Sequence, residues 1–314
     1  FRSSFYTDYP PLGLWLDSFS DKDYIKALGG SISKEEKSPL LLYVHFPFCP
    51  KRCTYCQCYH LIARDHGKVK EFLNHLYHEI ELLRKFFKGH SYTPMVKEIH
   101  LGGGSPSFMD NNELDELIDN LKKIVNFNEV SEFTIEIDPR QVDEEKMIYY
   151  HEIGINRISF GVQDFDPDVQ RAVNRIQPPA MVRKLLVPEI RRFFKSVNFD
   201  IIYGLPLQTR ESFKKTIDSV IQLLPDRIAL CVLGYRPDIF KHHKLIKKSD
   251  LPDVYESTLI NAHAIRSLLD NGYVRIGIDH FARPTDDLAI AFKNRKLHRS
   301  PLGYTPGRCH DMLG

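Results

Sequence analysis

The sequence predicts an α/β fold built as a full or partial (β/α) barrel. Two observations point there. Short runs rich in β-branched and aromatic residues alternate with longer segments whose apolar residues recur at helical spacing. Alternation of this kind gives a parallel sheet through right-handed crossovers. The unusual residues of the chain also fall just after the strand runs, where barrels carry their chemistry.

In order along the chain, residues 1–38 read as an irregular N-terminal arm. Its segment Phe5-Tyr-Thr-Asp-Tyr-Pro-Pro11 cannot form a long helix, because two prolines interrupt it. Ser31 to Pro39 is polar and charged, a linker into the core. Residues 39–285 form the barrel, and 286–314 begin a C-terminal extension. Strands are expected near 40–46, 96–101, 132–138, 157–162, 197–203, 227–232 and 273–278. Helices are expected where Phe72, Leu73, Leu76, Tyr77, Ile80 and Leu83 recur, and again over Leu114, Leu117, Ile118, Leu121, Ile124 and Val125. Phe213, Ile217, Val220, Ile221 and Leu224 make a third stripe. All three stripes read as core contacts.

Each strand then hands over to a distinctive loop. A cysteine-rich run follows the first, and Gly102-Gly-Gly-Ser-Pro-Ser107 the second. Glu136-Ile-Asp-Pro-Arg140, Gly161-Val-Gln-Asp164 and Asp200-Ile-Ile-Tyr-Gly-Leu-Pro206 end the next three, and Asp279-His-Phe-Ala-Arg283 the last. These loops are expected to converge on one rim.

Composition narrows the class. Of 314 residues, 42% are hydrophobic and 27% charged, as in ordinary globular proteins. The formal net charge of +2 implies no nucleic-acid partner. No apolar stretch approaches a membrane span and the N-terminus is no signal peptide. A cytoplasmic monomer is expected.

The most informative feature is Cys49-Pro-Lys-Arg-Cys53-Thr-Tyr-Cys56-Gln-Cys58. Cubane iron–sulfur clusters are held by cysteine thiolates, usually four. A compact C-x3-C-x2-C loop supplies three, leaving one iron open for a substrate or cofactor and pointing to a redox enzyme. A zinc site would need paired C-x2-C units or added histidines at set spacing, and Cys231 and Cys309 stand alone. A disulfide framework suits small secreted chains rather than one of this length. Cys58 is either a fourth ligand, a free thiol beside the site or a structural thiol; the non-ligand position near the site is the reading adopted. Cys231 and Cys309 read as structural.

Other residues carry weaker signals. The glycine triplet permits close backbone approach to a ligand, its carbonyls accepting from an ammonium or its N–H groups binding an anion, or makes a plain tight turn. It is not a dinucleotide fingerprint. Glu136 suits a ribose diol or is an exposed strand-end acid. Gln163 offers a donor and acceptors, to a ligand or to its own loop. Arg175 can fork onto a carboxylate, or lie solvated on a helix. His45 beside the cysteine loop and His280 after the last strand are candidates to position substrate or carry a proton, with packed histidines as the alternative. His242-His243, in a basic stretch, reads as solvated.

Taken together, Tyr43-Val-His-Phe-Pro-Phe-Cys49, the C-x3-C-x2-C spacing, Gly-Gly-Gly-Ser-Pro, Ile135-Glu-Ile-Asp-Pro-Arg140 and Gly161-Val-Gln-Asp-Phe165 resemble the radical S-adenosylmethionine superfamily. With Val173-Asn-Arg175, Asp200 to Pro206, Asp279 to Pro284, His298-Arg299 and Gly303-Tyr304, the chain is similar to the oxygen-independent coproporphyrinogen III oxidases (dehydrogenases) over nearly its whole length. Cys58 separates it from the related heme-chaperone branch, which typically lacks that cysteine.

The resemblance implies a partial barrel of the radical SAM type with a [4Fe–4S] cluster on Cys49, Cys53 and Cys56, its open iron chelating S-adenosylmethionine. It implies two S-adenosylmethionine molecules: Tyr43, Gly103 and Glu136 would serve the first, and Tyr55, Gly104, Ser105, Gln163, Arg175, Asp200 and Gly234 the second. Cys58 and His45 are carried as catalytic candidates. A 5′-deoxyadenosyl radical would take hydrogen from the β-carbon of a substrate propionate, and loss of CO2 and one electron would leave a vinyl group. A porphyrinogen substrate in heme biosynthesis and an unidentified electron donor are the implied partners.

Several positions depart from the family pattern. The arm reads Ser4-Phe-Tyr6-Thr-Asp8-Tyr9-Pro10 where the family has Pro-Arg-Tyr-Thr-Ser-Tyr-Pro, so Asp8 is expected to point away from substrate carboxylates or to pair with an arginine. Val232-Leu-Gly-Tyr235 replaces Asn-Tyr-Ala-His, and Pro301 replaces an aromatic residue. The chain stops at Gly314, before the family's usual C-terminal domain that helps cover the substrate, which fits either a fragment or a shortened relative. Two alternatives stay open: a relative that methylates or cyclopropanates another substrate, and a heme-handling protein without decarboxylase activity.

Overall fold

The computed structural model describes residues 18–33, 38–309 and 311–314. The arm residues Tyr6, Asp8 and Tyr9 lie outside them. The first described element corrects the reading of the arm as irregular: α1 spans Asp21–Ile32. Ser20 caps it, accepting from the Asp23 N–H while the Asp23 carboxylate accepts from the Ser20 N–H.

Nine strands form one sheet: β1 Leu40–Phe46, β2 Val96–Gly103, β3 Glu132–Ile137, β4 Arg157–Gln163, β5 Ser196–Tyr203, β6 Arg227–Val232, β7 Val274–Ile276, β8 His280–Ala282 and β9 Asp311–Leu313. Their order is β9-β1-β2-β3-β4-β5-β6-β8-β7. Strands β1 to β6 run parallel, each against the next. The edge strands β9 and β7 do not pair with each other, so the sheet stays open as a partial barrel. Parallel strands are covered on both faces, which is why β1 is almost uniformly apolar.

Helices α2 (Gly67–Gly89), α3 (Asn111–Leu121), α4 (Glu144–Glu152), α5 (Pro167–Ala172), α6 (Pro179–Leu185), α7 (Pro188–Arg191), α8 (Arg210–Leu223), α9 (Val254–Asp270) and α10 (Asp287–Lys293) complete the order. Ile99, Leu101, Phe133, Ile135, Phe160, Phe199, Phe213 and Ile217 form the buried layer between sheet and helices. Three-residue signals start two of these helices: Asp110 with Glu113 at α3, and Thr209 with Ser212 at α8, each exchanging side-chain and backbone hydrogen bonds. No helix among the described residues is long and apolar enough to cross a membrane.

Three sequence expectations change. The segment 273–278 is not a seventh parallel strand with a loop after it: β7 turns at 277–279 into β8, which runs antiparallel to β6. Leu224 is not part of the α8 stripe but its left-handed cap, with φ 55° and its side chain half exposed. The C-terminal residues return to the core, where β9 pairs parallel with β1. Arg308, just before β9, crosses the base of the sheet and bonds Glu132 at 3.0 Å, Glu98 at 3.5 Å and Asp287.

Candidate active site

The cysteine loop leaves β1 and is pinned on both flanks by backbone partners. On one side Thr54 N–H donates to Val173 O at 3.1 Å, and Asn174 Nδ2 to Arg52 O at 2.8 Å. On the other, the Gln57 amide donates to Gly234 O. His242 Nε2 and His243 Nε2 meet Cys56 O at 2.6 and 3.3 Å. This corrects the solvated reading of the two histidines: His243 is fully buried, and both rings clamp the loop. Cys53 and Tyr55 sink into a small apolar floor with Val169, Val173 and Leu205.

The thiols sit among hydrogen-bond donors. Arg175 Nη1 lies 3.6 Å from Cys53 Sγ, and Arg140 Nη2 3.9 Å from it. His60 accepts from Arg52 Nε at Nε2, which leaves Nδ1 as its donor, 2.9 Å from Cys58 O and 3.6 Å from Cys56 Sγ. The Cys58 thiol donates to Cys56; that bond, with the His60 contact, holds Cys56 well below the usual thiol range, and the same bond together with burial pushes Cys58 up. Burial, reinforced by the neighbouring sulfurs, pushes the Cys49 thiol to about 12. Burial does the same for Cys231 and Cys309, which fits inert thiols.

The ligand atoms bear on which metal group the chain could hold. Sulfurs around one zinc sit about 3.8 Å apart, given Zn–S bonds of about 2.3 Å. Among the described residues only His66, Asp110 and Glu113 bring three ligand atoms within 4.8 Å of one another; no cysteine trio does. The His66 trio is already used: Asp110 and Glu113 cap α3, and His66 Nδ1 bonds Glu113 at 2.9 Å. What suits an iron–sulfur group is the donor set itself: three thiols on one pinned loop, with Arg175 and Arg140 beside Cys53 and His60 beside Cys56.

The rim beside the loop is equally ordered. The glycine triplet is explained by crowding. A Cβ on Gly104 would stand 2.8 Å from Phe48 O, one on Gly102 2.7 Å from Glu136, and one on Gly103, at φ +112°, 2.6 Å from the His45 ring. The triplet's N–H groups are not a free anion nest: Gly103 donates to Glu136 at 3.1 Å, and Gly104 donates to Phe46 O at 2.7 Å. Ser105 N–H likewise donates to Phe48 O at 2.9 Å. Glu136 also takes His100 Nε2 at 3.0 Å, so it is a pinned carboxylate rather than a loose strand-end acid. His45 donates from Nε2 to Tyr59 O at 3.0 Å and accepts from Tyr43 Oη at 3.0 Å on Nδ1, tying β1 to the exit of the cysteine loop. Asp200, held by Asn198 and Ser159, is raised to about 6 by burial and by the charge of Glu136.

Arg175 is not solvated. It is buried, with Nε and Nη2 on Gly161 O at 3.1 and 2.6 Å and Nη1 on Asp138 at 3.4 Å. Against a burial penalty, Arg175 and Arg140 together hold Asp138 well below the usual carboxylate range. Gln163, at φ 66° on a bulge of β4, carries a buried Oε1 with no hydrogen-bond partner among the described residues. A buried, unpartnered acceptor in this position suits a ligand that supplies a donor. His280 bonds Asp279 at 2.7 Å on the β7–β8 turn.

The structure thus joins Cys49, Cys53, Cys56 and Cys58 with Tyr43, His45, Tyr55, Gly103, Gly104, Ser105, Glu136, Gln163, Arg175 and Asp200 at one end of the sheet. Gly234 adjoins through Gln57. Sequence reasoning missed the roles of His60, His100, Asp138 and Arg140. His100 and Gly102 share one face of β2 by strand period, which was the available signal.

Comparison with known proteins agrees with this geometry. The Radical SAM superfamily matches residues 43–220. Oxygen-independent coproporphyrinogen III oxidase of Pseudomonas aeruginosa is 38% identical over 98% of this chain and 66% of its own length. Its Escherichia coli counterpart is 37% identical over the same shares. The solved coproporphyrinogen III oxidase from Escherichia coli, a radical SAM enzyme, superposes with a TM-score of 0.90 at 36% identity, covering 99% of this chain and 70% of that one. The chain therefore spans about two thirds of the length of the curated relatives it matches. It belongs to the radical SAM superfamily and, within it, to the oxygen-independent coproporphyrinogen III oxidase family.

Proposed function

We propose that the protein carries out the oxygen-independent decarboxylation of two propionate side chains of coproporphyrinogen III, giving the two vinyl groups of protoporphyrinogen IX. Each propionate would lose CO2, one hydrogen atom and one electron. The observation that carries this reading is the whole-chain likeness, at a TM-score of 0.90, to an enzyme of that name. The intact cysteine loop supports it. Cys49, Cys53 and Cys56 would hold a [4Fe–4S] cluster. With bound S-adenosylmethionine, that cluster supplies a carbon-centred radical able to remove an unactivated hydrogen, chemistry no side chain provides.

The residues of this chain would do the rest. Glu136, fixed by His100 and Gly103, would serve the first S-adenosylmethionine beside Tyr43. Gln163 Oε1 would accept from the second, in a pocket completed by Tyr55, Gly104, Ser105, Arg175, Asp200 and Gly234. Arg175 and Arg140 neutralise charge at Cys53. Cys58 would meet substrate, and His45, bonded to Tyr43 and to Tyr59 O, would keep the loop in register.

The test is anaerobic: full-length protein with reconstituted cluster, S-adenosylmethionine, dithionite and coproporphyrinogen III, read by product mass. Stepwise loss of two carboxyl groups is expected. A methylated product would overturn the reading in favour of a methylating relative, and tight heme binding without turnover in favour of a heme carrier.

A further inference from the structure

The net charge of +2 hides a local concentration of positive charge on the cysteine loop. The connection between β6 and α9 doubles back over this loop, held there by His242 and His243 on Cys56 O. Within it, Lys241-His-His-Lys244-Leu-Ile-Lys247-Lys248 carries four lysines and no acid; of the acids that follow, Asp250 accepts from Ser249 Oγ and Asp253 caps α9. All four are exposed, as are Lys51 and Arg52 on the cysteine loop itself. Elsewhere on the surface Arg171, Arg210, Arg236 and Arg266 each pair with a carboxylate, while exposed lysines such as Lys85 and Lys88 form no ion pair among the described residues. What marks this surface is therefore clustering, four lysines in eight residues beside two cations of the cysteine loop. None of the six cations around the cysteine loop forms an ion pair among the described residues. Asp238, the nearest acid before the lysines, is taken by Arg236 at 2.9 Å. Between the charges stand exposed apolar side chains, Leu245 at 73% and Ile239 at 58% of full exposure.

An unpaired positive field around a few exposed apolar groups is the pattern of a surface that steers and then seats an anionic protein. Its place decides which kind. Electron transfer falls steeply with distance, so a donor must dock where the thiols approach the surface, and Cys56 lies directly beneath this connection. We infer that Lys51, Arg52, Lys241, Lys244, Lys247 and Lys248 form the docking surface for a small acidic one-electron carrier protein. This rests on the proposed activity, which requires an outside electron. The reduced carrier would give up one electron at this contact and leave one-electron oxidised; the electron would go to the cluster that Cys49, Cys53 and Cys56 would hold, with no bond made or broken in the docking step.

The experiment is a binding titration, with a recombinant anionic flavodoxin in its reduced form as the probe and holoprotein as the receptor. The variant K241E/K244E/K247E is compared with K85E/K88E/K123E, which makes the same change in net charge elsewhere. Lys85 and Lys88 lie at the far end of α2, about 30 Å along a helix of this length, and Lys88 and Lys123 line one groove there. At low salt the first variant is expected to bind about tenfold more weakly than wild type, with the gap closing as salt rises, and the control to bind as wild type. Equal affinity for K241E/K244E/K247E and wild type would overturn the inference, as would equal weakening in the control or no binding to wild type. Turnover driven by dithionite separates the two claims. It should be unchanged in K241E/K244E/K247E; its absence in wild type would count against the proposed activity, not against the docking surface.

Discussion

At the scale of single residues, the site depends on a few buried polar atoms, most of them paired within the chain, with Gln163 Oε1 left without a partner among the described residues. Replacing Cys49, Cys53 or Cys56 by Ala should abolish cluster assembly in anaerobically reconstituted protein, measured by iron and sulfide content. Cys58→Ala should keep the cluster and lose turnover; failure to assemble it would make Cys58 a ligand. Glu136→Gln removes the charge that His100 and Gly103 hold in place. It should weaken S-adenosylmethionine binding by roughly 2 kcal/mol with the cluster intact, as read by anaerobic titration. Unchanged affinity would return Glu136 to a purely structural role. Arg175→Met leaves Gly161 O with Gln177 Nε2 as its side-chain donor and takes one of two cations from the buried Asp138. A loss of about 3 kcal/mol in denaturant unfolding of the cluster-free protein is expected, and a loss under about 1 kcal/mol would contradict the buried geometry. The cysteines stood out because four thiols in ten residues are rare, whereas Glu136 and Gln163 at strand ends and Arg175 after α5 could be singled out only as candidates beside an exposed acid, a loop amide and a solvated arginine. His60, His100 and Asp138 were not legible, since a second partner makes their role and only the folded chain brings that partner close.

At the scale of elements, six parallel strands were readable because each buried strand is a short apolar run with few competing patterns. The hairpin β7–β8 was not: its two strands are three residues each, too short to show a period, and the turn between them is marked only by Gly277, at φ 59°, and Asp279. Nor was β9, whose three residues gain stability only by pairing with β1 across the whole chain. Its approach through Arg308 gives a pH prediction. Burial, with the charge of Glu132, raises Glu98 from 4.5 to about 7. As pH rises from 4.5 the unfolded chain releases this proton first, so the native state holds the extra proton. The stability Glu98 contributes is present in full below 4.5 and lost as pH rises through about 7. Glu98→Gln should remove that loss, gaining roughly 3 kcal/mol on wild type between the two ends of this range. Urea unfolding at pH 5 and pH 8 checks it; parallel pH profiles for the two proteins would refute it.

At the scale of the whole molecule, an open sheet places every unusual loop on one rim and leaves the cysteine loop under a basic connection. The central claim is that this rim directs a radical at the β-carbon of a propionate. The most direct measurement uses coproporphyrinogen III deuterated at the propionate β-carbons, incubated anaerobically with the full-length holoprotein, S-adenosylmethionine and reductant. The account predicts deuterium in the 5′-deoxyadenosine formed, in proportion to the vinyl groups produced. Vinyl groups formed while the 5′-deoxyadenosine stays free of deuterium would contradict it.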